Sequence, residues 1–166
     1  MKEETTTRPN RDDLLLEVNN LKKHFPIRRG FLRRTVGHVK AVDGISFYIQ
    51  EGETLGLVGE SGCGKTTTGR CILRAIEPTA GEILFKFGND HGWVNIPKLG
   101  KEDLREFRQQ AQMIFQDPYS SLNPRMTLLR IVGEPLIVNK VATGKELEDR
   151  VAQLLRQVGL RPEYMR

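Results

Sequence analysis

The run Gly59-Glu60-Ser61-Gly62-Cys63-Gly64-Lys65-Thr66 constrains this chain more than any other stretch. It fits G-x-x-x-x-G-K-[ST] at every fixed position. The glycines let the backbone bend close around an anion and turn its N–H groups inward. The start of a following helix adds partial positive charge. An ammonium at Lys65 reaches the β and γ oxygens of a nucleotide, and the Thr66 hydroxyl suits Mg²⁺. The pattern carries this meaning only where a strand enters the loop and a helix leaves it. The apolar residues 54–58 predict that strand. Residues 65 to about 75 predict the helix, closed by Pro78 and Gly81. The bland alternative is a glycine-rich turn with an incidental lysine, and this context disfavours it.

The rest of the chain reads as one further α/β framework around that loop. Its 166 residues leave room for one domain. No apolar run approaches the roughly 18 residues a membrane span needs. Residues 1–13 are polar and Thr-rich, which predicts a flexible tail and no secretory leader. Two cysteines, Cys63 and Cys71, cannot build a disulfide scaffold. These features describe a soluble chain of a reducing compartment. Short β-rich runs stand at 14–18, 45–49, 82–87, 93–96 and 112–115, with a turn at 88–92 between two of them. Residues 27–39, broken by Gly30 and Gly37 and filled with charge, predict an inserted loop. Residues 101–109 and 127–137 predict helices. Leu147, Val151, Leu154, Leu155 and Val158 follow the spacing of one buried helical face, with Gly159 where a C-terminal cap belongs.

The net charge of +5 is unevenly placed. Residues 1–40 hold ten Lys/Arg against five Asp/Glu, while the remainder balances. Such a patch faces nucleic acid, anionic lipid or an acidic partner, or is simply a solvated loop.

Within nucleotide-binding classes, a GTPase is disfavoured. Asn139-Lys140-Val141-Ala142 starts a base-reading Asn-Lys-x-Asp but lacks its aspartate, and no Asp-x-x-Gly is present. Three blocks then carry a resemblance. Residues 59–67 resemble the Walker A motif of ABC-transporter ATP-binding subunits. Val39-Lys40-Ala41-Val42-Asp43-Gly44-Ile45-Ser46-Phe47 is similar to the segment before it, and Met113-Ile114-Phe115-Gln116-Asp117-Pro118 to the Q-loop. The continuation Ser120-Ser121-Leu122-Asn123-Pro124-Arg125-Met126-Thr127 resembles the oligopeptide/dipeptide importer branch, as does the Arg-rich insert around Phe31.

This resemblance implies an α/β P-loop fold of the ABC nucleotide-binding-domain type, occupying residues 14–166. It would comprise a P-loop strand and helix, an antiparallel β subdomain (14–18, 45–49, 82–87, 93–96) and the start of a helical subdomain. It implies that Gly59, Glu60, Ser61, Gly62, Cys63, Gly64, Lys65, Thr66 and Thr67 cradle ATP. Thr66 and Gln116 would serve Mg²⁺, and Gln116 would position the attacking water; its amide offers both acceptor and donors for that task. The family stacks adenine on an upstream aromatic, for which Phe25 is the match and Phe31 the alternative; either also serves as a packing aromatic. Expected partners are transmembrane permease subunits, a second ATP-binding subunit (identical or not) and, indirectly, a solute-binding protein. No nucleic acid is expected. The place implied is the cytoplasmic face of a prokaryotic cell membrane.

The Leu-Ser-Gly-Gly-Gln signature, a Walker B strand ending in Asp-Glu and the switch histidine do not occur in the 166 residues. The sequence therefore reads as a truncated N-terminal portion that binds nucleotide with little turnover. Without the parallel strands that flank residues 54–58 in the family, an apolar edge is expected to stay uncovered. Two other readings stand beside this one: a non-catalytic module that occupies the membrane partner, and a nucleic-acid-associated ABC ATPase. Cys63 lies inside the loop, where a helix start can activate a thiol; the simpler reading is a small residue that fits. Cys71 reads as buried packing. His24, His38 and His91 show no metal-ligand spacing.

Overall fold

Leu14, Leu16 and Val18 alternate toward one side, as a half-buried strand requires, and all three are buried. Asn20 then takes a left-handed conformation (φ 49°) at a register irregularity. This inserts one residue and returns Leu21, fully buried, to the core side. The Asn20 N–H donates to Ser46 Oγ at 2.8 Å, which ties the bulge to the neighbouring strand. In the computed structural model, which describes residues 10–31, 34–87, 92–117 and 122–165, this strand is β1 (Leu14–Arg29).

It pairs antiparallel with β2 (Arg34–Gln50) on one side and β3 (Ala80–Lys86) on the other. β4 (Trp93–Asn95) closes a four-stranded antiparallel sheet of order β2-β1-β3-β4. The four expected strands of the β subdomain are thus present and adjacent, although 14–18 and 45–49 are only the inner parts of much longer strands. The expected loop at 27–39 is instead strand at 27–29 and 34–39, with a turn at Gly30 and Phe31. Ladder pairs continue through Phe25↔Val39 and Ile27↔Gly37 to Arg29↔Arg34. Backbone pairing needs no apolar side chains, so a charged, Gly-containing arm exposed to water hides its strand character. The expected turn at 88–92 falls mainly outside the described residues.

Two compact units divide the chain, one ending at Met113 and one beginning at Ile114. The first packs one face of the sheet against α1 (Lys65–Ile72) and α2 (Lys101–Gln110). Its core centres on Phe107, fully buried, with ring centroids 5.1 Å from Phe85 in an edge-on contact. Helix α1 stops at Ile72, short of the expected residue 75, because Arg74 turns left-handed (φ 48°). That turn lets its guanidinium donate to the Leu99 carbonyl at 2.6 Å.

The second unit holds α3 (Leu128–Val138), capped by Thr127, and α4 (Gly144–Gln157). Leu147, Val151 and Leu155 of α4 are buried beside Leu129, Val132 and Leu136 of α3. The expected buried face was too wide: Leu154 is 41% and Val158 71% exposed. Gly159 (φ 77°) occupies the left-handed position just past the helix end, where a Cβ is penalised. Among the described residues no helix is long and apolar enough to cross a membrane.

Two other expected strands do not form. Residues 54–58 and 112–115 enter no ladder among the described residues. Their apolar side chains stay out: Leu55, Leu57 and Val58 are 41, 48 and 90% exposed, and Ile114 97%. β propensity marks them as strand formers, but a strand is a pairing, and these residues pair with neither open edge of the sheet, β2 or β4.

Candidate functional site

Helix α1 opens directly from the glycine loop. Gly64 is its N-cap in a left-handed conformation (φ 99°), and Gly62 precedes it at φ 83°. At Gly64 the loop also lies hard against β2: a Cβ there would come within 2.3 Å of the Ala41 carbonyl oxygen. A glycine at this position therefore answers two demands, one torsional and one steric. Thr68, one turn into α1, is buried and donates its hydroxyl to the Gly64 carbonyl at 3.0 Å. The Thr68 N–H reaches the same oxygen at 2.8 Å. These two hydrogen bonds from one residue fix the first turn to the end of the loop.

Lys65 folds back across the loop. Its ammonium donates to the Gly59 and Glu60 carbonyls at 2.7 Å each and lies 3.5 Å from Cys63 Sγ. A cavity of about 300 Å³ opens here, lined in part by Lys40, Asp43, Leu57, Cys63, Lys65 and Thr68. That is the lower end of small-ligand pockets. A larger recess of about 810 Å³ lies along Leu15, Phe85, Phe87 and Gln110, but its lysine, Lys86, is already ion-paired with Glu51 at 2.8 Å. The smaller cavity combines a glycine loop, a helix start and a lysine.

The wall opposite the loop is charged and internally matched. Lys40 Nζ donates to one oxygen of Asp43 at 3.1 Å, and His24 Nε2 meets the other at 2.9 Å. The Lys40 hydrogen bond, and after it that of His24, holds the Asp43 carboxyl below its ordinary value of 3.8. Lys40 and Asp43 lie in the family-like segment 39–47, whose local sequence assigns them no task. What brings them to the cavity is long-range pairing, His24 opposite Lys40 and Lys23 opposite Val42, which local pattern does not reveal.

The ABC transporter family profile matches residues 42–165, well over half of the chain. The chain belongs to the ABC transporter family. Among curated proteins, this ABC chain is 50% identical over 153 residues to the oligopeptide transport ATP-binding protein AppF of Bacillus subtilis, covering 92% of the chain and 45% of that protein. It is 53% identical over 151 residues to OppF of the same organism, covering 90% and 46%. Against the glutathione import ATP-binding protein GsiA of Pectobacterium atrosepticum it is 46% identical over 160 residues, covering 96% and 25%. The chain thus spans at most about half the length of these relatives. Its fold is similar to the dimeric ATP-binding cassette MJ0796 solved with ADP and Pi, at a TM-score of 0.65 and 24% identity, covering 91% of this chain and 60% of that one. The α/β fold is therefore that of an ABC nucleotide-binding cassette over the part matched.

The other expected site residues of this ABC chain fall as follows. Phe25 sits on β1 opposite Val39, beside the pair of Lys40 with His24. It is 37% exposed, with the Lys23 ammonium 4.9 Å from its ring centroid. Phe31 lies at the far end of the arm with its side chain entirely in solvent. The register thus brings Phe25, and not Phe31, next to a cavity-lining residue. Thr66 and Thr67 stand in the first turn of α1. Gln116 belongs to the second unit and is exposed. Cys63 is exposed; Cys71 is fully buried in α1, and burial pushes its thiol above the ordinary range. Among the described residues no group of three or more His, Cys, Asp or Glu is arranged to hold a metal.

Proposed function

We propose that this chain binds Mg-ATP through the loop at residues 59–67, as the energy-coupling subunit of a peptide-type ABC importer or a piece of one. The observation that carries the reading is the Lys65 ammonium held across a left-handed glycine loop at the start of α1. The residues fit a nucleotide phosphate. The loop lies too close to Ala41 to carry a side chain at Gly64, so backbone faces the cavity. The N–H groups of the first turn of α1 lack helical partners and suit anionic oxygens. Lys65 supplies the positive charge, and Phe25 offers an aromatic face for the base.

Mg²⁺, when bound, neutralises charge on the phosphates. The Thr66 hydroxyl is a hard oxygen donor of the kind that ion prefers, and the Gln116 amide is assigned to it on the resemblance alone. Hydrolysis is not ascribed to these 166 residues, because the family's signature, Walker B and switch histidine have no counterpart among them. The names of the relatives support oligopeptides or glutathione as the transported class. Permease subunits, a second ATP-binding subunit and the cytoplasmic membrane face follow from the same reading.

The test is a titration with fluorescent Mg-ATP, with phosphate release followed in parallel and Lys65→Ala as control. Binding that Lys65→Ala abolishes, without phosphate release, is the expected result. Absence of binding by folded protein refutes the assignment.

A further inference from the structure

The β1–β2 arm holds its charge in an arrangement that the fold does not explain. Arg29 and Arg34 are direct cross-strand partners, with Arg28 opposite Thr35. Like charges facing each other across a ladder destabilise it. Among the described residues no carboxylate pairs with Arg28, Arg29 or Arg34, and all three are exposed. The surplus of five positive charges in the whole chain lies in its first 40 residues. Beside these arginines Phe31 stands fully in solvent, with Val36 at 60%. The arm ends in cations around an exposed aromatic ring and buries little of itself.

We propose that this arm is a docking element for an anionic lipid surface. Arginines near such a surface are attracted by its negative potential, and an exposed ring enters the headgroup layer. Charge complementarity alone would equally suit a nucleic acid. The apolar part decides between them: Phe31 and Val36 gain by leaving water at a bilayer boundary, whereas a phosphate backbone offers them nothing. The ring carries no neighbouring aromatic at the tip among the described residues, as a base-stacking platform would have. The inference is independent of nucleotide binding.

The experiment is co-sedimentation of the full chain with vesicles of zwitterionic lipid containing about a third phosphatidylserine, against purely zwitterionic vesicles. Binding is expected to the first only. Each arginine contributes about fivefold in partitioning, so Arg28→Gln/Arg29→Gln/Arg34→Gln together should weaken binding about a hundredfold. Phe31→Ala should weaken it by about tenfold and leave a residual binding that salt abolishes. Circular dichroism of each variant verifies that the sheet persists. No binding to anionic vesicles overturns the proposal, as does binding that survives both substitutions. Tighter binding to duplex DNA than to vesicles, with the same arginine dependence, also overturns it and assigns the arm to nucleic acid.

Discussion

Two glycines of the loop share a left-handed backbone but differ in their surroundings, and this difference predicts a measurable contrast. Gly62 (φ 83°) has nothing within 4 Å of where a Cβ would stand; Gly64 (φ 99°) has the Ala41 carbonyl oxygen at 2.3 Å. An alanine at either position carries the left-handed penalty of about 1–2 kcal/mol. At Gly64 the methyl must in addition gain well over half an ångström from a backbone atom of β2, since real Cβ atoms essentially never come within 3.0 Å of such a neighbour. No flexible side chain can yield there, so the loop itself moves. Forced overpacking costs about 1–3 kcal/mol, and a central value of about 2 kcal/mol corresponds to roughly thirtyfold in affinity. Gly64→Ala should therefore bind fluorescent Mg-ATP about thirtyfold more weakly than Gly62→Ala. Circular dichroism checks that both keep their sheet. Equal affinities, within twofold, would refute the claim that the approach to Ala41 sets the loop's shape.

Phe107→Ala removes a fully buried ring from contact with Phe85. It should cost about 3–5 kcal/mol, read as a lowered urea midpoint from the fluorescence of Trp93, the only tryptophan. Cys63, exposed in the loop, should react with a maleimide in the native state, and buried Cys71 only after denaturation. Alkylated protein should lose Mg-ATP binding; unchanged binding at complete Cys63 labelling contradicts this. The exposed Leu55, Leu57 and Val58 should make the 166-residue chain self-associate, so a monomer at all concentrations in sedimentation, with a sharp thermal transition, counts against it. The Asp43 carboxyl is more acidic folded than unfolded, so its contribution to stability is full above about 3.8 and is lost as pH falls through the lowered value. The Asp43 side-chain carbon should titrate below that value by NMR, and in Lys40→Ala/His24→Ala the titration should return toward it.

Local spacing made the glycine loop and the start of α1 legible, because a glycine turn that opens a helix is built from consecutive residues. Leu14, Leu16 and Val18 declared their strand by alternation. The outer arm did not, since Arg28, Arg29 and Arg34 bury nothing and leave no period to detect. Residues 54–58 mislead in the opposite direction: their composition is that of a strand, yet pairing depends on a partner that composition cannot report. Leu154 and Val158 likewise match the helical period without being covered. The charged wall of the site, Lys40 and Asp43, became visible only through the register that sets β1 against β2.

The bonds from Lys65 to the Gly59 and Glu60 carbonyls have a consequence for how its removal is read. In this arrangement the ammonium is an internal counter-ion for two oxygens of its own loop. On the proposed reading, an arriving phosphate would not recruit a roaming side chain; it would compete for a cation already hydrogen-bonded. The entropy of restraining the lysine has been met during folding, while part of the incoming attraction goes to replacing the carbonyl bonds. Truncating Lys65 consequently does two things at once, deleting the phosphate's charge partner and leaving two carbonyl oxygens facing each other without one. The affinity lost in Lys65→Ala will therefore be smaller than the strength of the ammonium–phosphate contact alone, because the carbonyl bonds given up on binding are subtracted from it.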